Sequence, residues 1–287
     1  MPAIPPRGDA ASSDSRKTST KHVCEDVPLP LTRLEIRDLS GEGAKLFLHT
    51  VDAPSILNNA IKTVHAILTP MRLDTPNVRS ITLILRDFAG VAYTTGKDID
   101  FEHKEIHFST EYIESIDPER LKDEITGVLV HEMVHVWQWN GEHSCNGGLI
   151  EGIADWVRLK AGLAPPHWRK RCEGCEWDAG YDVTGFFLAS LEGEFGKDVV
   201  VRMNQQLRHR YVEEEFWREI SGGKDVKILW DKYTLSQSEQ ENRDREEEQR
   251  DGEEKQENGE KNQDADRKLP FRKPESPIGS SKDDSPA

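Results

Sequence analysis

The sequence predicts an α+β protein, strand-rich at first, helix-rich later, with unfolded ends. Three observations lead there. Alternating or β-branched apolar runs fall before residue 110, apart from one helix. Apolar residues at helical spacing dominate from there to about residue 220. The whole chain is 35% hydrophobic and 32% charged, more polar than an average domain, and its two ends hold much of that polarity.

Residues 1–30 read as a disordered N-terminal segment. They carry Pro2, Pro5, Pro6, Pro28 and Pro30 and a Ser/Thr/Lys stretch from Ser12 to Lys21. No apolar stretch of ~7–15 residues marks a secretory signal, so an intracellular location is favoured over secretion. Leu31 to Asp38 alternates apolar and polar residues, as a strand does. Ala44 to His49 reads as a second strand. Ala53 to Met71 has Ile56, Leu57, Ala60, Ile61, Val64, Ile67 and Leu68 at helical spacing, closed by Pro70. Ser80 to Leu85 reads as a buried strand, and Val91–Thr95 and Glu105–Ser109 as two more, joined through Gly96.

Asp117-Pro118 predicts a helix start, with Asp as N-cap and Pro at the first helical position. That helix runs to about Asn140, where Asn140-Gly141 stops it. A second follows from Gly148 to Ala161. Helical patterns also cover Val183–Glu194, Lys197–Arg208 and Glu213–Ile220. Residues 31–235 are long enough for one core. Residues 236–287 read as a disordered charged tail, with 16 acidic and 10 basic side chains. The tail carries −6 of the net charge of −15, leaving −9 on residues 1–235.

Composition excludes several function classes. An acidic body argues against a broad basic face for nucleic acid. No run of about 18 apolar residues could span a membrane. Four cysteines are too few for a disulfide scaffold.

The strongest local signal is His131-Glu132-Met133-Val134-His135. Two His at i and i+4 share one helix face and can reach one Zn2+. Glu132 beside them can take a proton from water. Apolar neighbours (Leu129, Val130, Met133, Val134, Val136) bury the helix, and a buried His pair needs partners. A catalytic zinc takes three protein ligands. A third His six residues after His135 is excluded, since that position is Gly141. Glu151, in Gly148-Leu-Ile-Glu-Gly-Ile-Ala-Asp155, is the first candidate, giving a ligand set of gluzincin type. Asp155, one turn on, then accepts the other ring N–H of a His, or is itself the ligand with Glu151 in support.

The stretch from His131 to Gly141, followed by Gly147 to Ala161, resembles the plant basic secretory protein family, found also in fungi and bacteria. Gly90-Val-Ala-Tyr-Thr94 and Gly180-Tyr-Asp-Val-Thr184 resemble it too. The similarity covers about residues 30–233. It implies a zincin-like, zinc-dependent metallopeptidase acting on peptides or proteins. His131 and His135 are then ligands and Glu132 the catalytic base. Acidity and the missing signal set this chain apart from basic, secreted members.

An oxyanion needs a donor. Tyr181, in a family-like motif, is the first choice and His143 the second. Glu105–Ser109 is a candidate sheet edge for substrate pairing. Cys172-Glu-Gly-Cys175 reads first as inert thiols or an incidental disulfide; Cys145, His143 and His167 are possible partners in a structural zinc. Trp137, Trp139, Trp156, Trp168 and Trp177 read as core; one or two lining the cleft would favour an aromatic or bulky substrate side chain. The rival to a peptidase is a non-catalytic metal-binding or interaction protein. Hydrolysis of a non-peptide amide differs only in substrate.

Overall fold

Strand β1 (Leu31–Ile36) opens the fold and pairs in parallel with β2 (Ser80–Arg86), Leu31 opposite Ser80 and Ile36 opposite Leu85. The computed structural model describes residues 29–70 and 73–267. The N-terminal reading therefore lies almost wholly outside the described residues, as does the tail beyond residue 267. Strand β2 continues in parallel to β4 (Asp100–Ser109), which pairs antiparallel with β3 (Ala92–Lys97). The order is β1-β2-β4-β3, a mixed sheet. Strand β2 (Ser-Ile-Thr-Leu-Ile-Leu-Arg) is buried along almost its whole length, as a strand flanked on both sides should be.

This order corrects one expectation. Glu105–Ser109 belongs to β4, an interior strand, so the edge beside the later helices is β3. Ala44–His49 is corrected too: it lies in helix α1 (Glu42–Thr50). Its buried residues Gly43, Ala44 and Phe47 follow helical spacing, while Leu48 is exposed. Helix α2 (Ala53–Leu68) forms as expected, capped by Asp52 accepting from the Ser55 N–H at 3.0 Å.

A short helix, α3 (Thr110–Ser115), follows β4 directly. Asp117-Pro118 then forms a turn, and α4 (Leu121–Trp137) begins three residues later than predicted. The Asp117 side chain accepts from Glu119 N–H at 2.9 Å, closing that turn rather than capping the helix. Helix α4 is buried on nearly all sides, among the sheet, α2 and the next helix, α5 (Gly147–Lys160). Helices α6 (Tyr181–Phe195), α7 (Val199–Gln206) and α8 (Glu213–Ser221) complete the predicted set.

The chain divides into two units, residues 1–227 and 228–287. The first holds the sheet and helices α1–α8. A last helix, α9, runs Val226–Arg267 and covers much of the stretch read as unstructured from Ser236. Its first turns carry an apolar stripe (Val226, Leu229, Trp230 and Tyr233), and beyond Ser236 the sequence is rich in Glu, Gln, Lys and Arg, which have high helix propensity. Local pairs such as Gln240 with Asp244 at 2.6 Å add to it. No helix among the described residues is long and apolar enough to cross a membrane.

Candidate metal centre

Helices α4 and α5 pack against each other and present four side chains to one point. His131 and His135 come from α4, Glu151 and Asp155 from α5. The His131 Nδ1–H donates to Asp155 Oδ1 at 2.6 Å. His135 Nδ1–H donates to Gln138 Oε1 at 3.0 Å, and Gln138 Nε2 in turn donates to the Ile150 carbonyl at 3.0 Å. Both partners at Nδ1 are acceptor oxygens, so both rings hold their Nδ1 proton and turn Nε2 inward.

Inward, the two Nε2 atoms stand 3.2 Å apart, and Glu151 Oε2 lies 3.0 Å from His131 Nε2 and 3.6 Å from His135 Nε2. Two nitrogen lone pairs and a carboxylate facing one another repel unless a cation or a proton sits among them. Burial opposes charge on His131, yet the hydrogen bonds it donates to Asp155 and Glu151 push its pKa up to about 10, so without a metal its Nε2 carries a proton as well. Burial pulls the Glu151 carboxyl upward, but hydrogen bonds from His131 and His135 hold it well below the usual carboxylate range. His131, His135 and Glu151 form a group that could hold a metal ion. Two imidazoles and a carboxylate suit Zn2+. Asp155 stands behind His131 and its oxygen faces Nδ1.

Glu132 is buried beside this group. The Thr94 hydroxyl, on edge strand β3, donates to Glu132 Oε2 at 2.7 Å and lies 3.0 Å from the Glu132 carbonyl. Tyr181 stands at the first position of α6 with φ +46°, after Gly180. Its ring lies nearly parallel to His131, centroids 6.1 Å apart. The residue is 57% exposed, at the mouth of the site. The Glu151 charge, then burial, raise its pKa, so the phenol keeps its proton. A left-handed backbone at a non-glycine residue carries strain, common where a side chain must be aimed. Gly148 permits this approach: a Cβ there would strike the Asp178 backbone, which leads into Gly180.

The site opens into a cleft of about 940 Å³, bounded by β3, α4, α5 and the loop before α6. His143 lines it from the loop between α4 and α5, hydrogen-bonded to Asn140. Of the five tryptophans singled out in the sequence, Trp168 lines the cleft, and Trp137, Trp156 and Trp177 are buried. Cys172 and Cys175 are joined in a disulfide. Burial pushes the Cys145 thiol up to about 12, so it stays protonated. Among the described residues, Cys145, His143 and His167 gather into no metal-binding group.

Sequence reasoning missed Thr94, Gln138 and the pair Glu124–Arg158. Gln138 carried a signal, three residues after His135 at the helix end. The others are brought in by tertiary packing alone.

Residues 29–233 match a family model, BSP, described as a peptidase of plants and bacteria. Searches of curated proteins and of solved structures found no match.

Proposed function

The chain belongs to the BSP family, peptidases of plants and bacteria, and on that premise we propose that it is a zinc-dependent metallopeptidase of zincin-like architecture. Residues 31–235 make its catalytic domain. The observation carrying the reading is the pair of inward Nε2 atoms 3.2 Å apart with Glu151 Oε2 against them.

In this reading His131, His135 and Glu151 hold the zinc. Asp155 orients His131 through Nδ1, and Gln138 does the same for His135. A zinc ion bound there would supply Lewis acidity and lower the pKa of water toward neutrality. Glu132 takes the proton of the attacking water on its carboxylate and returns it to the leaving amine. Thr94 holds that carboxylate in place. Tyr181 donates its phenolic hydrogen to the carbonyl oxygen as charge develops there. An extended peptide adds to the free edge of β3, its main chain pairing where β4 does not.

Glu132→Gln tests this with a near-isosteric change. Zinc content by metal analysis should stay near one per chain, and chelator-sensitive cleavage of a peptide library should fall by ~10²–10⁴-fold. Unchanged cleavage removes Glu132 from the chemistry. A wild-type chain that binds zinc and cleaves nothing favours the non-catalytic metal-binding reading.

A further inference from the structure

One end of the cleft forms a recess to which the chemistry above gives no task. Its floor is an ion pair between Arg158 of α5 and Glu124 of α4, Nη2 to Oε2 2.9 Å. Each of these residues is only 6% exposed. Val128, Pro165 and Trp168 wall the recess, and Tyr112 closes it. Gly127 makes room for the guanidinium: a Cβ there would lie 2.5 Å from Arg158 Nε.

The hydrogen-bonding capacity of this floor is lopsided. The Glu124 carboxylate is fully engaged. Its Oε1 accepts from the Tyr112 hydroxyl at 3.0 Å, and its Oε2 accepts from Arg158 and faces Arg120 Nη2 at 3.6 Å. Burial and then the Glu124 charge push Tyr112 up to about 12, so its hydroxyl remains the donor. Arg158 is engaged only in part. Its Nε donates to the Leu163 carbonyl at 3.0 Å and its Nη2 to Glu124, while Nη1 makes no hydrogen bond among the described residues. The guanidinium also lies over the Trp168 ring, 5.2 Å from its centre. Two arginines against one carboxylate leave a positive balance. A buried guanidinium with donors to spare is matched by an acceptor; an incoming ammonium meets like charge.

Strand β3 gives the recess its place along a substrate. Its Ala92 end pairs with Phe108, whose ring is 6.4 Å from Tyr112, while its Gly96 end pairs with Lys104. A peptide paired antiparallel to β3, the more stable arrangement, therefore carries its C-terminal side toward the recess. We propose that this recess selects the residue following the scissile bond, taking a side chain with an apolar stem and an acceptor tip, Gln or Glu, through Arg158. The inference rests on the peptidase reading above.

The test is a peptide-library digest with the zinc-loaded full chain, paired with calorimetric titration of capped Ala-X-Ala tripeptides into the metal-free full chain. Gln and Glu should exceed Lys and Arg by about tenfold at the position after the cleaved bond, as one charge-assisted hydrogen bond implies. The tripeptides with X as Gln or Glu should bind several-fold more tightly than that with Lys. Arg158→Met leaves Glu124 buried without its partner and endangers folding. Trp168→Ala, on a half-buried wall, opens the recess and should flatten the preference among Gln, Glu, Lys and Arg. Cleavage with no preference there, or with Lys or Arg preferred, overturns the recess and leaves the peptidase reading standing. No chelator-sensitive cleavage overturns the peptidase reading, and the titration alone then decides: equal binding of the Gln, Glu and Lys tripeptides overturns the recess.

Discussion

Asp155 and Glu151 sit one helical turn apart on α5, yet their oxygens face opposite sides of the same imidazole. Asp155 meets Nδ1 and Glu151 meets Nε2. Their loss should therefore differ in kind. Asp155→Ala frees the His131 ring to rotate and change tautomer, which costs about 10–100-fold in metal affinity. Glu151→Ala removes a donor atom and should cost more, with zinc lost on dialysis. Competition with a chromophoric chelator measures both; a larger loss for Asp155→Ala would exchange the two roles. In the proposed mechanism Thr94 acts on Glu132 rather than on the metal. Thr94→Val removes a hydrogen bond to a charged group, worth about 1.5–3 kcal/mol. We expect kcat to fall by roughly 10–100-fold with zinc content unchanged; unaltered kcat would mean that Glu132 holds its pose unaided.

At the scale of elements, α4 and α5 meet closely because the contact surface has small residues where guanidinium and backbone must fit. Gly127 is the sharpest case, with Arg158 Nε, Nη2 and Cζ all within 2.8 Å of a would-be Cβ. Gly127→Ala raises intrinsic helix propensity by about 1 kcal/mol. Overpacking should exceed that gain, for a net loss of about 1–2 kcal/mol, because Arg158 is tied to Glu124 and Leu163 and cannot swing away. Urea denaturation measures it, and a stabilised variant would show that the arginine moves freely. The same contrast explains what the sequence revealed. The pairs His131–His135 and Glu151–Asp155 were legible because helical spacing puts each pair on one face of its helix, and Glu132 was legible from its place inside the His-Glu-x-x-His motif. Strand β3 as the edge was not, because pairing order is a long-range property that no local pattern encodes. Helix α1 was misread because Lys45, Leu46 and Phe47 in a six-residue window fit either period; only the buried set Gly43, Ala44 and Phe47 separates them. Thr94 reaches Glu132 across 38 residues of chain, and nothing near Thr94 announces the partner.

For the molecule as a whole, a metal held by His131, His135 and Glu151 would also be a cross-link. Its ligands come from two helices separated by the loop 138–146, in which Glu142 and His143 adopt left-handed backbone with φ +53° and +66°. In the unfolded chain that geometry is absent, so a metal held by His131, His135 and Glu151 binds the folded state selectively. Selective binding stabilises by mass action, about 4 kcal/mol when free metal is ~1,000 times its Kd. In a domain of this size about 1 kcal/mol moves Tm by roughly 2–4 °C. Loading with zinc should therefore raise Tm by about 10 °C over the chelated protein, read by calorimetry. The difference should shrink as pH falls, because protons compete for the same ring nitrogens. His131→Ala should abolish the zinc-dependent rise. If that variant keeps it, the stabilising ion sits elsewhere. If the wild-type chain shows no rise at all, the convergence of His131, His135 and Glu151 is satisfied by a proton instead.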